Sequence, residues 1–183
     1  MPLRILVPAL LLTVLLPLAV WSQGHHGHGL PGAPGTSPYS GQQHREIKAL
    51  APDQVAGLLT GTGMGYAKAA ELNHYPGPRH VLDLAEALQL SEAQRAQAEA
   101  VFQAMQVRAR ALGTAILHLE RELDSAFASG AIDADSLDRL TGRIAALEGE
   151  LRGAHLRAHL ETRALLTPTQ VRAYDRLRGY SAP

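Results

Sequence analysis

The chain has no cysteine in its 183 residues. A disulfide framework and a lipid anchored through a cysteine are therefore excluded, and the fold has to be held by its core. Charge of a single sign is missing as well: 17 basic residues stand against 17 acidic ones. The two signs alternate along the sequence rather than forming patches, so nucleic acid and acidic membranes have no field to respond to. The usual marks of catalysis are also absent. There is no cysteine nucleophile, no serine in an elbow motif, no pair of carboxylates in an apolar setting and no cofactor loop, so the chain is expected not to be an enzyme and to carry no organic cofactor. The glycine-rich "GTGMGYAK" at Gly61 to Lys68 fits neither phosphate-loop spacing and reads as a bend between helices.

What is present begins with an export signal. Arg4 precedes an apolar run from Ile5 to Trp21, interrupted by Pro8 and Pro17, and Val20 and Ser22 suit a signal peptidase that would leave Gln23 first. Residues 1–22 are thus expected to be a signal peptide, or an N-terminal anchor if uncleaved, and the body is expected outside the cytoplasm. Residues 23–43 are rich in Gly, Pro, Ser and His, with too few apolar side chains to offset the entropy of ordering them, and read as a flexible tail. Residues 44–78 read as an irregular arm holding two short helices, one opened by Pro52 and ended near Gly61, the other in "YAKAAELN".

From Pro78 onward Gly and Pro almost vanish from the interior of the runs, and Ala, Leu, Glu, Gln and Arg prevail. Val81, Leu84, Ala85 and Leu88 mark the inner face of a first helix. A run from Glu92 to Ser129 then sets Phe102, Ala109, Ile116 and Leu123 at one heptad position and Met105, Leu112, Leu119 and Ala126 at the other. Gly130 stops it, Asp133 caps the next, and a second seam follows in Leu137, Ile144, Leu151 and Ala158 with Leu140, Leu147 and Ala154. The fold class predicted is all-α: a long antiparallel helical hairpin with short flanking helices, whose remaining faces call for cover from those helices and a second subunit.

Two segments repeat one pattern, "LSEAQ" at Leu90 to Gln94 and "LTPTQ" at Leu166 to Gln170. Each is a capping box: Ser91 or Thr167 accepts from the amide three residues on, while Gln94 or Gln170 reaches back. Pro168 sits at the first helical position, where a missing N–H costs nothing, and Leu166 with Val171 is placed to form a hydrophobic staple. This pair of boxes in an exported, cysteine-free helical chain resembles the Spy/CpxP group of periplasmic proteins and its heavy-metal resistance relatives, over about Arg79 to Arg178. The resemblance implies a periplasmic, cradle-like homodimer without enzymatic activity. It implies either binding of zinc, nickel or cobalt to buffer or report metal load, or work as an ATP-independent chaperone or stress adaptor. Unfolded clients or a membrane signalling protein would then be partners.

Nine histidines are the main chemical resource. His25, His26 and His28 lie in the tail, where imidazoles suit Zn, Cu or Ni ions without fixing a geometry. Cleavage before Gln23 would make His25 the third residue, able to complete a square-planar set with the amine and two amides, unless Gln23 cyclises. In "HLRAH", His155 and His159 share a helix face, with Leu156 where a zincin needs Glu. Folding the first helix back sets His80 level with Glu99, and the hairpin brings in the other two. Either His80, Glu99, His155 and His159 converge on one cation, or they are solvated helical histidines. By the resemblance, the ligand positions of the nickel and cobalt sensors fall on Val81, Ala85, Phe102, Ala158 and Thr162, none a usual metal ligand.

Overall fold

The structure, a computed structural model, describes residues 35 and 37–180. The leader and the tail histidines His25, His26 and His28 lie outside the described residues. The chain divides into two units, Met1–Ser40 and Gly41–Pro183, and the second carries the fold described here. Six α-helices follow a 3-10 turn at Gln42–His44: α1 Pro52–Thr60, α2 Lys68–Glu71, α3 Pro78–Asp83, α4 Glu92–Ser129, α5 Ala134–Leu165 and α6 Pro168–Leu177. No strand occurs among the described residues, and no helix there is long and apolar enough to cross a membrane.

The hairpin is formed by α4 and α5, 38 and 32 residues long, or about 57 and 48 Å at the helical rise. Gly130 ends α4 in the left-handed region, and the Asp133 carboxylate accepts from the Ser136 amide to open α5. The heptad seam is the buried one. Ala109, Leu112, Ile116 and Leu119 of α4 are buried, as are Leu140, Ile144, Leu151 and Ala154 of α5. They belong to clusters near the turn and at mid-hairpin, the second also holding Ile47 and Leu58. Ile47 and Leu58 thus pin the irregular arm, with α1 lying on α4 and α2 on α5.

The close seating of α1 rests on one residue. Gly113 is buried inside α4, and a Cβ added there would collide with the Leu58 carbonyl, which belongs to backbone and cannot swing aside. The first helix before the hairpin is shorter than its apolar spacing predicts. After Asp83 the ladder shifts to tighter bonds, such as Ala85 N–H to the Leu82 carbonyl at 3.2 Å, and Gln89 takes a φ of 50° as the chain swings into Ser91. The predicted inner face survives: Val81, Ala85 and Leu88 are buried against Leu166, Val171 and Tyr174, or close by them. Leu166 and Val171 share one cluster, as the staple requires.

The two capping boxes form as read, and they also meet each other. Gln94 Nε2 donates to Gln170 Oε1 at 2.9 Å, and Gln170 Nε2 donates to Gln94 Oε1 at 3.1 Å. Each amide spends its second N–H on the far segment: Gln94 on the Leu165 carbonyl at 2.8 Å, Gln170 on the Leu88 carbonyl at 3.2 Å. Each oxygen also holds its own cap, Ser91 N–H at 3.0 Å and Thr167 N–H at 2.9 Å. The result is a reciprocal clasp closing the end of the hairpin opposite its turn.

Candidate functional site

A cavity of about 410 Å³ lies beside the clasped end, walled by the bend after α1, the start of α3 and the facing flanks of α4 and α5. His80, His155 and His159 all line it, over a floor that includes Phe102, Met105 and Ala158. Helix α5 supplies two of the imidazoles because residues four apart share a face. Helix α3 supplies His80, two residues after Pro78 opens it.

The three rings have different surroundings. His155 is only 4% exposed, stacks on Tyr66 with centroids 5.8 Å apart, and its Nε2 is buried without a hydrogen-bond partner. Burial lowers its pKa first, and the neighbouring His159 adds to that. His159 Nδ1 lies 2.7 Å from the Tyr75 carbonyl. A carbonyl only accepts, so Nδ1 is the donor, and in the neutral ring that tautomer leaves the lone pair on Nε2. Gly77 borders that ring, and a Cβ there would lie 2.8 Å from Cε1 and Nε2 of His159. His80 is half-exposed, with its pKa lowered by burial and by Arg178, against the opposite pull of Glu71 and Asp83.

A polar hub adjoins His159. The Glu71 carboxylate accepts from Tyr174 Oη at 2.5 Å and Tyr180 Oη at 3.0 Å, with Arg178 Nε at 3.5 Å and His159 Nδ1 at 3.7 Å. Burial, then the bond to Glu71, pushes the Tyr174 phenol far above its ordinary value, so it remains a donor. The hub ties α2 to the segment after α6 and holds the Tyr75 to Gly77 loop over His159. Nothing in the sequence singled out Glu71, Tyr66 or Met105. A lone Glu in a short helix and a Met on a seam carry no spacing signal, and they matter here through contacts between distant segments.

Two expectations need correction. Glu99 does not line the cavity: it is exposed, its Oε1 accepting from Gln103 Nε2 at 2.7 Å, because α4 turns Phe102 and Met105 inward instead. His80, Glu99, His155 and His159 therefore do not converge, and among the described residues no group of three or more His, Asp or Glu side chains is arranged to hold a metal ion. The opposite reading, of solvated histidines, fails for His155, which the arm covers through Tyr66. Of the sensor-type positions, Val81, Ala85, Ala158 and Thr162 are buried, with the Thr162 hydroxyl donating to the Ala158 carbonyl at 2.7 Å, and Phe102 is half-buried in the cavity wall.

A family model described as heavy-metal resistance matches residues 55–173, which spans the arm, the cavity and both capping boxes. The chain belongs to the heavy-metal resistance family. No curated protein and no solved structure matches it. In this family member the cavity is lined by His80 from α3, by His155 and His159 from α5 and by Met105 from α4, and the clasp ties together the end of the hairpin beside it.

Burial of His155 has a consequence in solution. Its folded pKa lies below the ordinary 6.5, so in that window the unfolded chain binds more protons and stability rises with pH. The contribution is full above about pH 6.5 and is lost as the pH falls toward the lowered value. Denaturant melts between pH 7.5 and 5.5 are expected to show falling stability on acidification, with a shallower slope in His155→Phe. An unchanged slope would remove His155 as the source.

Proposed function

We propose that the protein is a non-enzymatic, exported metal-binding protein of the heavy-metal resistance type, acting in the periplasm to buffer or report divalent metal. The observation that carries this reading is a cavity lined by His155, His159 and His80, in which the His155 ring keeps its Nε2 buried and without a partner. A buried nitrogen without a partner is costly unless something occupies it. In the body His155 and His159 would hold metal, with His80 at the rim. In the tail, His25, His26 and His28 would supply further imidazoles for Zn, Cu or Ni. The carbonyl of Tyr75 would orient His159, as outer partners of metal-bound histidines do. Exposed Leu160 and Leu177 suit cover by a second copy in a homodimer.

The test is calorimetric titration of the protein with Zn(II), Cu(II) and Ni(II), beside a His25/His26/His28→Ala variant and a His155→Ala, His159→Ala variant. Micromolar or tighter binding, weakened by at least one variant, is the expected result. Absence of heat with all three ions would end the metal reading.

A second reading, as an ATP-independent chaperone or stress adaptor, draws on Val107 and Phe127, which are exposed at 71% and 57%. A basic concave face has less behind it. Arg108 pairs with Glu150 and Arg121 with Glu46, and Arg110 Nε donates to the Thr60 carbonyl at 3.2 Å. Suppression of client aggregation by metal-free protein would favour this reading.

A further inference from the structure

We infer that the cavity between α3, α4 and α5 is a cuprous ion site, with Met105, His155 and His159 as its ligands. The inference rests on the metal-binding reading above and names an ion of a different class. Zinc in a structural site takes four donors at tetrahedral geometry, and among the described residues not even three His, Asp or Glu side chains come together as such a group. A set of two imidazoles and one thioether falls short for zinc. Cu(I) is soft, accepts thioether sulfur and imidazole nitrogen, and is content with two or three ligands.

Several independent features favour that ion at this place. Met105 is the one sulfur-bearing residue lining the cavity, on the α4 flank facing α5. His155 Nε2 is buried and unpartnered in a residue more than nine-tenths buried. His159 Nδ1 is engaged by Tyr75, leaving Nε2 as its free nitrogen, and Gly77 keeps the edge of that ring clear of a side chain. Phe102 and Ala158 supply an apolar part of the lining, beside the polar side chains of Arg79, Gln106 and Arg110. The ligands differ from the sensor-type positions: of those, Phe102 and Ala158 line the same cavity without a donor, and Val81, Ala85 and Thr162 are buried.

The test is anaerobic competition for Cu(I) against the colorimetric chelator bicinchoninate. The full chain is compared with Met105→Leu, His155→Phe and the tail variant His25/His26/His28→Ala, and circular dichroism confirms that each is folded. Met105→Leu conserves volume, and His155→Phe keeps the stack on Tyr66. The expected result is one Cu(I) per chain, retained in the tail variant and weakened at least tenfold in each of the other two. X-ray absorption of the copper form is expected to show one sulfur and two nitrogen neighbours. If Cu(I) binding is absent, follows the tail variant or ignores Met105→Leu, the inference is overturned. If Zn(II), Cu(II) or Ni(II) still binds in that case, the metal-binding reading stands without it. If none of them binds either, both fall.

Discussion

Replacing Gln170 by Ala is expected to lower the stability of the protein by about 3 kcal/mol, a fall of roughly 10 °C in thermal midpoint for a body of this size. The figure follows from what one side chain does. Its oxygen serves the Thr167 amide and Gln94, and its nitrogen serves the Leu88 carbonyl and Gln94. Loss of the helix cap alone would be worth about 1 kcal/mol. The remainder comes from partly buried partners left unmatched, each bond at about 1 kcal/mol. Gln94→Ala is expected to behave alike, and the double variant to cost less than the sum of the two, by about 1 kcal/mol or more. A single-variant loss near 1 kcal/mol with strict additivity would show that the boxes act as separate helix starts.

Gly113→Ala is expected to cost about 3 kcal/mol and to loosen α1 from α4. The sign is informative because propensity points the other way: Ala in a helix interior is favoured over Gly by about 1 kcal/mol. At Gly113 the new methyl meets the Leu58 backbone, and either α1 lifts or α4 bends. Gly142, exposed on α5 with open space where a methyl would stand, is the control, and there Ala is expected to stabilise. Chemical melts give the two signs, and hydrogen exchange is expected to show faster amide exchange in Pro52–Thr60 while the α4 and α5 seam stays protected. Stabilisation by Gly113→Ala would mean that α1 is not seated through this contact.

The long elements were legible because their signals are local and repeated. Phe102 to Ala126 and Leu137 to Ala158 keep a heptad over many turns, and Gly130, Asp133, Ser91 and Thr167 mark ends by their own chemistry. Pro52 and Gly61 bounded α1 for the same reason. What could not be read was what those elements bring together. Gln94 and Gln170 were each fully explained by their own helix starts, so nothing in either box announced the other. Glu99 shows the opposite failure: level with His80 along the hairpin, it nevertheless lies on the wrong flank of α4, and height alone says nothing about rotation. The spacing of "HLRAH" shows only that His155 shares a helix face with His159, and it does not show that Tyr66 from the arm closes over it.

The Gln94 and Gln170 clasp is made of neutral amides, which neither titrate nor attract counterions. The ion pairs Lys48 with Asp124 and Arg139 with Glu122 weaken as salt rises. Rising salt would therefore loosen the hold of the arm on α4 and the turn end of the hairpin while leaving the amide clasp itself untouched, like a hinge with a fixed pin.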